Sequence, residues 1–530
     1  MEIDSQRIDS IFATWDQPGS PGCTLAIIKD GEFVYKRGYG MADLERGVPI
    51  SADSLFDLGS TGKQFTAAVI AMLASQGKLG LDDPIRKYLP EMPACAEKIT
   101  IRQLLHHTSG IRDYLTLMYL RGMAFENSYS ENLLLDLITR QRGLNFAPGS
   151  EFLYSNSGYF LLGIIAACVT GKHLTQLIGE MILIPLDMTH TTYNMDFRPI
   201  VKNRAMSYEP GEVEGAFTND LALSGGFGDG ALLSCVDDLL LWDRNFYGNK
   251  LNNAQPDLLD QLHTVGALNN GKALPYALGL FIDQYKGQKR VSHGGAWAGY
   301  RTEMMRFPDQ HLTIICLCNL GNMDPTILCQ QVADVVLEEG PAPEQPAGEG
   351  SSSASKAAAA IRPEDFCGVY QGNLLTFELF ARDGSLFFNN GSHEFQLVSL
   401  GGKKFQLGQY PVFLAASGKN NQRLTITEDE RVSHFKRILP QRYSPPALTP
   451  YPGEYYSAEL DIRYSIVEKD GKLHLKRTPF DAPQAIQFFA PNALRSAIGE
   501  LRLRLGKDGS IKGFDLNAGR VTHIKFLKAR

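Results

Sequence analysis

Leu55-Phe56-Asp57-Leu58-Gly59-Ser60-Thr61-Gly62-Lys63-Gln64-Phe65 is the stretch on which the reading of this 530-residue chain turns. An apolar, strand-like run ends at a glycine, and a helical pattern opens directly behind it, with Phe65, Ala68, Val69, Met72 and Leu73 at i, i+3, i+4, i+7 and i+8 and a stop at Gly77. The spacing predicts an amphipathic helix from Ser60. On a helix, positions i and i+3 share a face, so the ammonium of Lys63 can reach the hydroxyl of Ser60. A helix N-terminus adds positive potential and unpaired N–H groups where an alkoxide or tetrahedral oxyanion forms. A serine hydroxyl is a poor nucleophile alone, and an adjacent amine or phenolate activates it. Ser-x-x-Lys is a cheap pattern: Ser75 to Lys78, Ser353 to Lys356 and Ser433 to Lys436 repeat it. Only Ser60 follows a glycine and opens a helix.

Two more stretches carry chemistry. Tyr154-Ser155-Asn156 follows Pro148-Gly149-Ser150 and precedes the apolar run Tyr159 to Val169, which places it on a loop at the start of a buried helix. Tyr247-Gly248-Asn249 repeats the Tyr-x-Asn pattern in a polar turn. Ser292-His293-Gly294-Gly295-Ala296 leads through Trp297, Gly299 and Tyr300 into a hairpin, and its adjacent glycines let an extended ligand approach the strand backbone. Cys23 to Lys29 and Glu32 to Lys36, joined by Asp30-Gly31, form a first hairpin; Thr302 to Phe307 and His311 to Leu320 form a second. Helical signals fill the middle. These features predict a terminal-strand antiparallel sheet packed on a helical insert.

Ser-x-x-Lys, Tyr-x-Asn and His-Gly-Gly, in that order, resemble the three active-site motifs of the serine β-lactamase and penicillin-binding-protein superfamily, in its class C and D-aminopeptidase branch. Gly38 to Asp43, Leu104 to Gly110 and Phe146 to Gly149 are similar to supporting stretches of that family. The resemblance covers residues 10 to 335. It implies that Ser60 is the acylated nucleophile, Lys63 and Tyr154 its base system, and His293 the third-motif residue. It further implies that the N–H groups of Ser60 and Ala296 form an oxyanion hole, that Asn156 holds the substrate's acyl-side amide, and that Gly294 and Gly295 bind substrate along the strand. Where relatives carry Lys-Thr-Gly, this chain has His-Gly-Gly; a mostly uncharged histidine weakens recognition of a substrate carboxylate. That shifts the expectation from β-lactamase and carboxypeptidase toward aminopeptidase, amidase and esterase.

Glu339 to Ile361, rich in Gly, Pro, Ser and Ala, cannot bury a core and reads as a linker. Behind it the chain repeats itself. Gly368-Val369-Tyr370 answers Gly453-Glu454-Tyr455, Asp383-Gly384 answers Asp470-Gly471, and Arg431 to Lys436 answers Arg520 to Lys525. Short alternating segments in both copies predict two small barrels, joined through the proline-rich 440–452. The expected fold class is therefore α+β: a β-lactamase-like domain over 1–338, a linker over 339–362, and antiparallel β-barrels over 363–443 and 450–530. In the D-aminopeptidase branch a loop of the last barrel reaches the active site. The corresponding stretch here is Lys476 to Pro483; Asp481 is its candidate anchor for a substrate ammonium, while Lys476 and Arg477 beside it could equally serve an acidic substrate.

With 52 Lys plus Arg against 58 Asp plus Glu, the net charge of −6 argues against nucleic-acid binding. No apolar run reaches the roughly 18 residues of a membrane span, and Met1 to Trp15 lacks the apolar core of a secretory signal, so a cytoplasmic location is expected. Eight scattered cysteines form no C-x-x-C pair; Cys316 and Cys318 are expected on opposite faces of a strand, and neither a metal, a disulfide nor any other cofactor is anticipated. The expected partner is a small peptide, amide or ester, with oligomeric state, a homodimer included, left open. The activity expected is a serine hydrolase acting through an acyl-enzyme, foremost a D-aminopeptidase-like peptidase. A carboxylesterase, a weak β-lactamase and a non-catalytic scaffold are the alternatives.

Overall fold

The computed structural model describes residues 3–125, 127–194, 198–220, 228–248, 250–253, 258–337, 362–372, 376–389, 394–401, 403–407, 412–428, 431–439, 448–478, 481–490 and 492–529. The expected linker lies outside these, apart from Arg362. The chain forms two compact units. The first comprises Met1–Tyr114, Ala124–Thr139 and Phe146–Glu344; the second takes in Leu115–Met123, Arg140–Asn145 and the remainder.

In the first unit, helix α1 (Ser5–Phe12) precedes β1 (Cys23–Lys29) and β2 (Glu32–Tyr39). Asp30 and Gly31 both take positive φ in the turn between those strands, as a tight hairpin requires. The long helical insert contains α2 (Lys63–Ser75), α3 (Asn156–Thr170) and α4 (Val236–Gly248). The chain then returns as β3 (Phe281–Tyr285), β4 (Gln288–Trp297), β5 (Tyr300–Phe307) and β6 (Leu312–Cys318), and ends in α5 (Pro325–Val336). The six strands form one sheet in the order β3-β4-β5-β6-β1-β2, so the first and last strands of the domain meet at its centre. Each neighbouring pair of strands among β3 to β6, β1 and β2 runs antiparallel.

The inner strands β1, β5 and β6 are buried on both faces. Ile8 and Phe12 of α1 and Leu328, Val332 and Val336 of α5 pack with Leu25, Ile27, Phe307 and Ile314 on one face. On the other, Asp243 of α4 accepts hydrogen bonds from Arg306 of β5 (2.9 Å) and Thr313 of β6 (2.8 Å); the Arg306 and Asp243 side chains are each 1% exposed. Removing either member of such a pair leaves the other charged and buried, at about 3 to 5 kcal/mol.

Helix α2 departs from the amphipathic expectation, because every residue from Lys63 to Leu73 is buried. It is an internal helix, and its polar side chains are satisfied inside the fold. The indole N–H of Trp242 donates to Gln64 at 2.6 Å, and Thr66 donates to the Gly228 carbonyl at 2.7 Å. Residues 59–62 form a tight 3₁₀ turn that leads into the α-helix, so Ser60 sits on that turn.

In the second unit, eight strands from Gly368–Gln371 to Arg431–Leu439 close into a barrel. Nine strands from Gly453–Ser457 to Val521–Lys528 form a sheet whose edge strands, Gln484–Ala485 and Gln487–Ala490, are consecutive in the chain, a nearly closed barrel. The internal repeat has a structural signature. Tyr370 donates its hydroxyl to the Phe366 carbonyl (3.0 Å), and Tyr455 donates to Tyr451 (2.6 Å) four residues back in the same way. Gly368 and Gly453 both hold positive φ, and Asp383-Gly384 and Asp470-Gly471 make matching positive-φ turns.

Two segments inside 1–338 belong to this second unit, which revises the expected boundary. Their bonds supply the reason: the Leu120 carbonyl accepts from Tyr464 (2.6 Å), the Arg142 N–H donates to Glu459 (2.8 Å), and the Asn145 side chain accepts from the Thr522 N–H (2.8 Å).

Candidate active site

The Ser60 turn is fixed from both ends. Asp57 accepts the Gly59 N–H at 2.9 Å; burial raises its carboxyl to about 6, against the opposing pull of that bond and of Arg204. Beneath the turn runs β4. A Cβ on Gly59, whose φ is +49°, would lie 2.8 Å from the Ala296 nitrogen, and one on Gly295 would lie 1.9 Å from the Leu58 carbonyl oxygen. Only glycine permits this approach. Thr302 and Thr61 lock the junction by donating to the Leu58 carbonyl (2.8 Å) and the His293 carbonyl (2.9 Å). The backbone of Gly59, the residue before Ser60, is thereby held against that of Ala296.

Lys63 is fully buried, and its ammonium donates to three acceptors: Ser60 Oγ at 2.9 Å, Asn156 Oδ1 at 2.8 Å and the Asp229 carbonyl at 2.7 Å. Its Nζ also stands 5.0 Å from the centre of the Tyr154 ring. Ser60, Lys63, Tyr154 and Asn156 thus converge from a turn, a helix, a loop and a helix start.

The Tyr154 loop is shaped by Leu104 to Gly110 and the residues that follow. His107 Nδ1 accepts the Ser155 N–H at 3.1 Å, its carbonyl accepts from Leu153 at 3.0 Å, and its ring lies 4.2 Å from that of Tyr154. Asp113 accepts the Asn156 N–H at 2.7 Å and so caps α3 from a distant segment. Asp229, whose carbonyl holds Lys63, is itself buried; burial raises its carboxyl, while Lys63 and the Tyr114 hydroxyl at 2.9 Å act in the other direction.

His293 is 2% exposed on β4. Its Nδ1 lies 2.6 Å from the Gly294 carbonyl and its Nε2 lies 3.0 Å from the Tyr276 hydroxyl. A carbonyl only accepts, so these partners assign the proton of the neutral ring to Nδ1 and make Nε2 the acceptor of the Tyr276 hydroxyl. The His293 ring is 6.0 Å from that of Tyr154, which brings the third stretch into the same cluster.

Asp481 belongs to the second unit. Its carboxylate accepts from Arg477 Nε (2.7 Å) and Thr478 Oγ1 (3.0 Å); although burial raises it, those two bonds hold it below the ordinary carboxylate range. Pro479 and Phe480 of the same loop lie outside the described residues. His107, Asp113, Asp229 and Tyr276 had no assigned role in the sequence reading. Of these only His107 carried a signal, in Leu104 to Gly110.

The beta-lactamase family model matches residues 8–336. Penicillin-binding protein 4* of Bacillus subtilis is 30% identical over 333 residues, 59% of this chain and 71% of that protein. D-aminopeptidase of Brucella anthropi is 28% identical over 301 residues, 56% of each, so the match spans little more than half of that relative's length. Among solved structures, the octameric penicillin-binding protein homologue from Pyrococcus abyssi has a TM-score of 0.57 at 24% identity, covering 82% of this chain and all of that one. With more than half of its residues matched to the family model, the chain belongs to the beta-lactamase family.

Proposed function

We propose that the chain is a serine hydrolase that cleaves small peptides, amides or esters through an acyl-enzyme, foremost as a D-aminopeptidase-like peptidase. The observation that carries this reading is the buried Lys63 amine, 2.9 Å from the Ser60 hydroxyl and oriented by Asn156 and Asp229. With one proton removed, the amine lone pair faces Ser60 Oγ and accepts its proton as the oxygen attacks the substrate carbonyl. The Tyr154 phenol completes the base system: it gives its own proton to the leaving group and regains one from the newly protonated Lys63 amine. The N–H groups of Ser60 and Ala296 stabilise the oxyanion; in such sites one donor is worth about 10² to 10³ in turnover. Asn156 holds the acyl-side amide, Gly294 and Gly295 let substrate pair along β4, and His293 with Tyr276 replaces a cationic third motif.

The similarity to D-aminopeptidase supports peptide or amide substrates, and the similarity to penicillin-binding protein 4* supports a second reading, acylation by β-lactams. No single described helix is long and apolar enough to cross a membrane. A cytoplasmic location is part of the same proposal. We further propose that the two barrels are accessory to a hydrolase domain within 1–338. The oligomeric state, a homodimer included, is left open and is decided by light scattering. A serine-directed fluorophosphonate should label the native chain and not Ser60→Ala; an unlabelled native chain would establish the scaffold reading instead. D- and L-aminoacyl p-nitroanilides, short p-nitrophenyl esters and a fluorescent penicillin then rank the substrate classes.

A further inference from the structure

On the face of the sheet that packs against α1 and α5, four cysteines come together. Residues two apart in a strand share a face, so the expectation that Cys316 and Cys318 point apart is wrong: their sulfurs are 3.6 Å from each other. Cys23 of β1 pairs with Cys318 in the strand register, and the sulfurs of Cys23, Cys316 and Cys318 all lie within 4.8 Å of one another. Cys329 approaches Cys316 from α5, its thiol in hydrogen-bonding contact with that of Cys316. All four residues are completely buried, and none is used by the proposed chemistry.

A second observation lies next to this cluster. Glu303 pairs with Cys316 across β5 and β6 and is 2% exposed. One of its oxygens accepts from Thr326 at 2.8 Å; the other, among the described residues, has no hydrogen-bond partner. An orphaned buried acceptor is destabilising, and a core needing only small apolar side chains has no use for it. The sulfur spacing also has a meaning. A metal–thiolate bond of about 2.3 Å places two sulfurs roughly 3.8 Å apart on a tetrahedral ion, close to the separation found here.

We propose that Cys23, Cys316 and Cys318, with Cys329 as fourth donor and Glu303 beside them, hold one thiophilic d¹⁰ cation, Zn(II) or Cu(I), at a structural site behind the catalytic sheet. Each coordinating thiol gives up its proton to water as its sulfur binds, with no change in oxidation state. Because the sulfurs are sealed from solvent, the ion enters as the domain folds.

The test is to purify the full chain from cells grown with added zinc, with added copper, or with cadmium as a spectroscopic probe, and to count metal per chain by mass spectrometry. The expectation is roughly one ion per chain from the zinc or the copper culture, with a sulfur-to-cadmium charge-transfer band from the third. Whichever of the two natural ions is retained identifies the occupant. Cys316→Ser should lower the content at least tenfold and remove the band, while Cys168→Ser, an exposed thiol elsewhere, should change neither. Fluorophosphonate labelling and circular dichroism report whether each variant is folded. If Cys316→Ser does not fold, Cys318→Ala and Cys23→Ala replace it. Less than about a tenth of an ion per native chain in every medium overturns the proposal, as does undiminished metal in the folded variants.

Discussion

The Ser60 site and the C-terminal barrels solve opposite problems. Around Ser60, polar side chains are buried and find partners far along the chain: Lys63 bonds Asn156, Thr302 bonds the Leu58 carbonyl, and Asn156 is capped by Asp113. In the closed barrel the strands from Thr376–Arg382 to Arg431–Leu439 each pair with the next in sequence, and apolar side chains such as Phe377, Leu386 and Phe388 fill the interior. The first arrangement gives up local simplicity to hold reactive groups in place; the second gains stability from neighbours. Substitutions in the first should therefore change chemistry more than stability, and substitutions in the second the reverse.

The largest break in that contrast should come from the reactive groups. Ser60→Ala should abolish fluorophosphonate labelling. Lys63→Ala and Tyr154→Phe should each slow acylation by about 10³-fold or more, measured as the labelling rate on protein whose circular dichroism is native. Near-normal rates in either would remove that residue from the base role.

Asp113 lies between the extremes. Asp113→Ala leaves the first N–H of α3 uncapped and should cost about 1 to 2 kcal/mol, together with roughly tenfold slower labelling, because Asn156 then loses its register against Lys63. Asp113→Asn keeps an acceptor and should restore most of both. A stability loss without any change in rate would make Asp113 purely structural.

Asp57 offers a pH axis. Its carboxyl is raised to about 6, so the folded state holds a proton that the unfolded chain releases near its ordinary value of 3.8. The resulting stabilisation is full below about pH 4 and is lost as pH rises through about 6, a change on the order of 3 kcal/mol. Asp57→Asn, which can still accept the Gly59 N–H, should flatten that part of the stability profile in denaturant titrations at pH 4 and pH 7. An unchanged slope would mean another group carries it.

The smallest effects belong to the barrels. Tyr370→Phe and Tyr455→Phe each delete a hydrogen bond to a carbonyl four residues back, Tyr370→Phe also a longer one to the Asn421 carbonyl (3.2 Å), and each should cost about 1 kcal/mol, with no effect on labelling. Equal losses would sharpen the view of the barrels as two copies of one unit. A change in labelling rate would show instead that the barrels act on the chemistry.

The parts of the structure that were legible in the sequence are those written in local pattern. The Asp30-Gly31 turn, the hairpins, the Tyr159 to Val169 helix and the repeat all depend on residues within a few positions of each other, and each appears where the pattern places it. The three motifs were legible because their residue types are chemically unusual in combination, and the structure brings Ser60, Lys63, Tyr154, Asn156 and His293 together. Asp113, Asp229 and Tyr276 were not, since each is a single ordinary residue that acquires its partner only through packing of distant segments. The amphipathic reading of α2 failed for a related reason: periodicity marks one apolar face, but Gln64 and Thr66 on the other are buried among partners that no local pattern specifies. The second unit's claim on Leu115–Met123 and Arg140–Asn145 is equally non-local.

The burial of α2 on all sides has one further consequence. An amide exchanges with solvent only when its hydrogen bond opens, and a helix with no exposed face cannot fray without dismantling what surrounds it. Deuterium uptake along Lys63–Leu73 should follow the global opening rate of its unit. On heating, the nucleophile and its base should then remain aligned until that unit melts as a whole, so that loss of labelling and loss of structure trace a single curve.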